Sequence, residues 1–237
     1  MTGATLHVLR VFCAEDNTGG NRLGVFLDGA EIAEERRQAV AADLGFAETV
    51  FVDDRGNGGL RIFTPEIELP LAGHPLVGTA WLLREQGDSV TALRPPAGEV
   101  AVRFEGELAF VSADPEWAPP FEFVELDSEA EVDALTGPPE DSGYVECWSW
   151  SENPDMIRAR VFAPEAGITE DEATGSAAMR LVAQIGEPIQ IRQGATAGSL
   201  IYARPLPDGR SEVGGRVVQD EVREYSAAAG RGYSEPT

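Results

Sequence analysis

Two stretches of this chain read as helices with no polar face, and there is one in each half of the sequence. Residues 75–86, PLVGTAWLLREQ, carry no charge before Arg84, and residues 176–185, SAAMRLVAQI, are interrupted only by Arg180 and Gln184. A helix that is apolar all round has nothing to offer water, so each must be enclosed by other structure. Each stops before a glycine, Gly87 or Gly186, suited to the position just beyond a helix C-terminus. Most of the remaining chain reads as short strands separated by turn residues, over 6–12, 24–27, 49–52, 60–63, 99–104 and 108–112. Further strands are expected over 144–150, 157–162, 189–192, 200–203 and 212–217. A pseudo-repeat follows, in which strands wrap one central helix twice over. A third, amphipathic helix fits 30–44, with Ile32, Val40 and Leu44 on its dry face and Glu34, Glu35, Arg36 and Arg37 on its wet one.

The segment 114–142 is rich in proline and acid, lacks sustained periodicity, and is expected to link the halves. The expected domains are therefore 1–112 and 113–225. The small, polar residues 226–237 read as a flexible tail.

Composition removes whole classes of chemistry. All 18 basic residues are arginine. Without lysine there is no aldimine to pyridoxal phosphate, no lysine Schiff base and no complete P-loop. The 41 Asp and Glu bring the net charge to −23, which argues against nucleic acid and anionic membranes as partners. Cys13 and Cys147 form no metal or disulfide pattern and read as buried small hydrophobes, and His7 and His74 have no metal-ligand spacing. The start has no signal-peptide pattern and no run is long and apolar enough to span a bilayer, so a cytoplasmic protein is expected.

The chemistry concentrates where the two buried helices begin. Gly73 and His74 precede Pro75, which suits the first position of a helix, and Thr174, Gly175 and Ser176 stand in the same relation to the second helix. A helix start presents free N–H groups and about half a positive charge, and glycine admits a ligand close to the backbone. Each start also reads as an ordinary cap; two in matching positions weigh toward a grip on a carboxylate.

Four motifs carry a resemblance. Gly20-Asn21, AETVFV over 47–52, ELPLAGHPLVGTA over 68–80 and FAPEAGITEDEATGSA over 162–177 resemble the PhzF-like family of phenazine-biosynthesis isomerases. The resemblance covers roughly 5–83 and 157–203. It implies an α+β fold of the diaminopimelate epimerase type, with two pseudo-symmetric halves, each a β-barrel-like sheet wrapped around a central helix, and the site between them.

Carried over motif by motif, it implies Glu48 as the acid/base glutamate, with His74 and Asp171 as further catalytic residues. Gly73, Gly175 and Ser176 would bind substrate through the helix heads, and Asn21 would touch it. It implies no cofactor, no metal, a small carboxylated substrate and a homodimer. Epimerases of this fold place a cysteine at each helix head; here Ala72 and Thr174 stand there, which disfavours a two-cysteine amino-acid epimerase. The activity expected is a cofactor-independent isomerisation that moves a proton between carbons of a small, carboxylated, cyclic and unsaturated metabolite. The alternative is a catalytically silent small-acid binding protein of the same fold. Arg22 and Glu172 depart from the family pattern, where proline is usual, and would add charge near the cleft.

Overall fold

The computed structural model describes residues 4–226; the tail expected over 226–237 lies, but for its first residue, outside the described residues. The first half runs β1 (Ala4–Cys13), β2 (Asn21–Phe26), α1 (Glu34–Leu44), β3 (Glu48–Asp54), β4 (Gly59–Phe63), β5 (Glu68–Leu69) and α2 (Gly73–Glu85). It continues with β6 (Ala92–Leu93), β7 (Val100–Glu105) and β8 (Leu108–Ala113). The second half holds β9 (Glu122–Glu125), α3 (Glu129–Asp133), β10 (Val145–Trp150), β11 (Met156–Ala163), β12 (Ile168–Asp171) and α4 (Gly175–Ile185), then β13 (Ile189–Gln193), β14 (Ser199–Pro205) and β15 (Ser211–Tyr225).

The strands join in the order β5-β4-β3-β2-β1-β15-β14-β13-β11-β10-β9; β8, β7 and β6 branch from β15, and β12 pairs with β11. This mixed α+β arrangement curls once about α2, which packs on β1, β2, β3, β8 and β15, and again beside α4, which packs on β14 and β15. The last strand ties the whole together, because β15 runs antiparallel to β1, β8 and β14.

Alternation within β1 shows why so apolar a strand is tolerated. Leu6 and Val8 face a cluster with Val40 and Ala41 of α1, Phe26 and Phe51, whereas Leu9 and Val11 face the main core around α2. A strand covered on both faces has no need of a polar side. The expected helix over 30–44 is broken. Gly29–Glu31 forms a 3-10 turn and α1 starts only at Glu34, because Gly29 sits tight on β3: a Cβ there would come within 2.7 Å of the Phe51 backbone.

Helix α2 begins two residues before expectation, placing Pro75 third rather than first. The position still tolerates proline because the opening N–H groups of a helix have no intrahelical acceptor. It is buried from Gly73 to Ala80, while α4 is buried from Gly175 to Met179 and exposes Ala183 and Gln184 as it leaves the core. The expected linker is structured: it contains a turn at Pro115–Trp117, the strand β9 against β10, and α3. Strand β9, EFVE, is too short for a period to show. Both cysteines are buried, and burial pushes the Cys147 thiol up to about 11 and raises Cys13 as well.

Candidate active site

Parallel pairing brings two of the site residues together. Strands β2 and β3 run side by side with Leu23 opposite Glu48, so the starts of both strands lie at one end of the sheet. Side chains two apart on a strand share a face. Asn21 and Leu23 therefore point the same way as Glu48, toward α2. Across the structure, β12 ends at Asp171, paired with Val161 of β11, and the chain turns at once into α4.

The two buried helices meet head to head. A Cβ on Gly73 would lie 2.7 Å from the Cα and carbonyl carbon of Gly175 and 3.0 Å from the Ser176 nitrogen, and a Cβ on Gly175 would lie 2.9 Å from the Gly73 Cα. Only glycine permits this approach. Neither helix is capped by its own N-cap side chain: Ala72 has none to offer, and the Thr174 hydroxyl is turned to Asp171. Two positive helix ends, both uncapped, thus converge on one point.

Negative groups surround that point. His74, the second residue of α2, sets Nε2 at 3.0 Å from Glu48 Oε2, a contact off the line of a good N–H···O bond, so each atom keeps hydrogen-bonding capacity for a third group. The Asn21 amide nitrogen donates to Asp171 Oδ1 at 2.6 Å and to the Ala173 carbonyl at 3.1 Å, and lies 3.4 Å from His74 Nδ1. Thr174 donates its hydroxyl to Asp171 Oδ2 at 2.6 Å. Glu48, His74, Asp171, Asn21, Gly73, Gly175 and Ser176 are all buried, and all gather here.

Burial and charge compete in this cluster. Burial pushes the Asp171 carboxyl up and the Glu48 charge pushes it further, against the pull of His74 and the hydrogen bonds from Thr174 and Asn21, leaving it at about 6. For His74, burial pulls the imidazole down, but the charges of Glu48 and Asp171 outweigh it and the net shift is upward. Asp171 and His74 are thus both raised by their neighbours, as is common where side chains serve general acid–base chemistry.

Gln193 was not singled out by sequence reasoning. Its amide nitrogen donates to the Asp171 carbonyl and to the Thr174 hydroxyl, and its Oε1 accepts from the Thr174 N–H, bracketing the turn into α4. The Gln193-Gly194 step is the one local feature of the sequence at this position. Arg22 and Glu172, expected to add charge near the cleft, have partners of their own. Arg22 stacks 5.1 Å over the Phe46 ring, and Glu172 Oε1 accepts from the Ser199 hydroxyl, which itself accepts from the Gly20 N–H. No cysteine lies at either helix head. Among the described residues no group of three His, Cys, Asp or Glu is placed to hold a metal ion, and no helix is long and apolar enough to cross a membrane.

Two curled half-sheets, each around one buried helix, with the helix heads abutting, make this an epimerase-type α+β fold. A protein described as a probable proline racemase from Agrobacterium radiobacter shares it with a TM-score of 0.64 at 10% identity, over 94% of this chain and 93% of that one. A PhzF-family protein from Enterococcus faecalis matches more closely, with a TM-score of 0.79 at 22% identity over 95% of this chain and all of the other. The family model for phenazine biosynthesis-like proteins matches residues 9–137. Trans-2,3-dihydro-3-hydroxyanthranilate isomerase of Pseudomonas fluorescens is 31% identical over 90% of this chain and 93% of its own length. The chain belongs to the phenazine biosynthesis-like (PhzC-PhzF) family.

Proposed function

We propose that this protein is a cofactor-independent isomerase of trans-2,3-dihydro-3-hydroxyanthranilate or a closely related cyclic, unsaturated carboxylate. The carrying observation is the pair of uncapped helix heads converging beside the Glu48–His74 contact. The heads, through the N–H groups of Gly73, Gly175 and Ser176, receive the substrate carboxylate. Glu48 takes a proton from one ring carbon, the double bonds shift, and the same carboxyl group returns a proton to another ring carbon on the same face. No electrons are gained or lost overall. His74 and Asp171 hold polar substituents and tune the protonation of Glu48, and burial keeps water from the intermediate. The working form is proposed to be a homodimer.

Incubation with this substrate in deuterium oxide tests the proposal. Deuterium should enter at carbon, and Glu48→Gln should lower that exchange by about 100-fold or more while ligand affinity persists. Tight binding without carbon exchange in the wild-type protein would make it a binding module, and full exchange by Glu48→Gln would remove the glutamate from the mechanism.

A further inference from the structure

One nitrogen of Asn21 faces two acceptors, Asp171 Oδ1 at 2.6 Å and the Ala173 carbonyl oxygen at 3.1 Å, and lies 3.4 Å from His74 Nδ1. A carbonyl oxygen only accepts, so the end of the amide that faces Ala173 is the NH2 group, and the same end faces the imidazole. The two hydrogens of that NH2 serve the shorter contacts, to Asp171 and Ala173, and an amide nitrogen has no lone pair to offer, so a proton on Nδ1 would face a nitrogen that cannot accept it. The proton of the neutral ring then sits on Nε2, against Glu48 at 3.0 Å. We infer that Asn21 is a positioning residue, bridging the two halves, that holds neutral His74 as its Nε2–H tautomer and opposes its protonation, instead of contacting substrate. Its functional meaning rests on the proposed role of Glu48; its test does not.

Every charged group facing the ring enters the balance. Glu48 from β3 and Asp171 from β12 favour the imidazolium. Burial and the positive ends of α2 and α4 oppose it, and Thr174 and Gln193, the other polar neighbours of Asp171, are neutral. The Asn21 amide nitrogen, which cannot accept, stands 3.4 Å from the one atom a second proton would occupy. A neutral ring keeps Nε2–H beside Glu48 without setting a full positive charge there.

The chain has two histidines, so nitrogen-15 histidine labelling yields two imidazole spin systems, told apart with His7→Asn. On the alkaline side of its titration, His74 should carry its proton on Nε2 with Nδ1 bare. Asn21→Asp, nearly isosteric, replaces the donor with a charged acceptor and should raise the His74 midpoint by about one pH unit or more, a tenfold gain in proton affinity. The added charge alone would raise that midpoint, so the discriminating variant is Asn21→Leu, which removes the amide without adding charge and should let the neutral ring take its proton on Nδ1; a merely structural role for Asn21 would leave the Nε2–H tautomer in place. A proton on Nδ1 in the wild type, or an unchanged tautomer in folded Asn21→Leu, would overturn the assignment. Should Asn21→Leu fail to fold, the wild-type tautomer decides alone. Absent carbon exchange with the expected tautomer and shift would sink the isomerase reading and leave this one standing.

Discussion

Among single residues, Glu146 of β10 bears a cost unrelated to the site. It is fully buried, neither carboxyl oxygen has a hydrogen-bond partner, and burial pushes it up to about 8. Opposite Val161 on β11 and Phe123 on β9, it shares a face with apolar neighbours. A folded-state value raised above the unfolded one means the native state holds the proton more tightly. The stability this confers is complete below the unfolded value of 4.5 and is lost as pH rises through about 8. Thermal unfolding of Glu146→Gln beside the wild type should therefore show a gap that moves in favour of the variant between pH 5 and 9. The movement should be on the order of 4 kcal/mol. A gap that stays constant across that range would show that Glu146 is hydrated in solution. Asp171 is also buried, yet the His74 charge and two hydrogen-bond donors hold it at about 6.

Among elements, the meeting of α2 and α4 is the junction most exposed to substitution. Gly73→Ala would place a methyl 2.7 Å from backbone atoms of Gly175, and backbone cannot step aside as a flexible side chain can. The helix heads must separate by an ångström or so, and misplacement of about 1 Å is enough to cost about 100-fold in rate. Exchange into the proposed substrate should fall by that order in Gly73→Ala and in Gly175→Ala. Gly87→Ala is the control, since nothing stands within 4 Å of a Cβ there; its left-handed backbone (φ 87°) should cost stability and leave the carbon exchange of the folded protein intact. Equal losses of exchange in all three would point to folding, not helix contact. The same junction explains the missing caps: side-chain capping of either head would fill the place where a ligand carboxylate is proposed to sit.

For the whole molecule, a surplus of 23 negative charges opposes compaction. Much of the arginine is already committed: Arg103 and Arg204 both bind Glu212, Arg61 binds Glu68 and Glu34, and Arg160 binds Glu170. The surplus carboxylates repel one another across the surface, and that repulsion is screened once the Debye length falls from about 10 Å at 0.1 M salt to about 3 Å at 1 M. Thermal unfolding should therefore shift upward from 0.1 to 1 M sodium chloride at neutral pH. A downward shift would mean that the exposed ion pairs outweigh the repulsion. The sheet spreads whatever stability results over both halves, because β15 pairs with β1 and β8 from one and β14 from the other.

Local pattern determined much of this protein. The two buried helices, most of the strands, the glycines that end α2 and α4, the acidic charge and the loss of all lysine chemistry are each readable over a few residues, because helix and strand periods and side-chain identity are local properties. The motifs at Glu48, His74 and Asp171 also named the groups that gather. Tertiary structure alone decided how they gather. The contact of Gly73 with Gly175 joins residues a hundred apart, and Asn21 reaches Asp171 across 150. The Ser199 hydroxyl joins Glu172 to the Gly20 N–H across the fold, and β9 and α3 occupy a segment that reads as linker. Such outcomes depend on strand register and on which faces are already covered, and no local period encodes them.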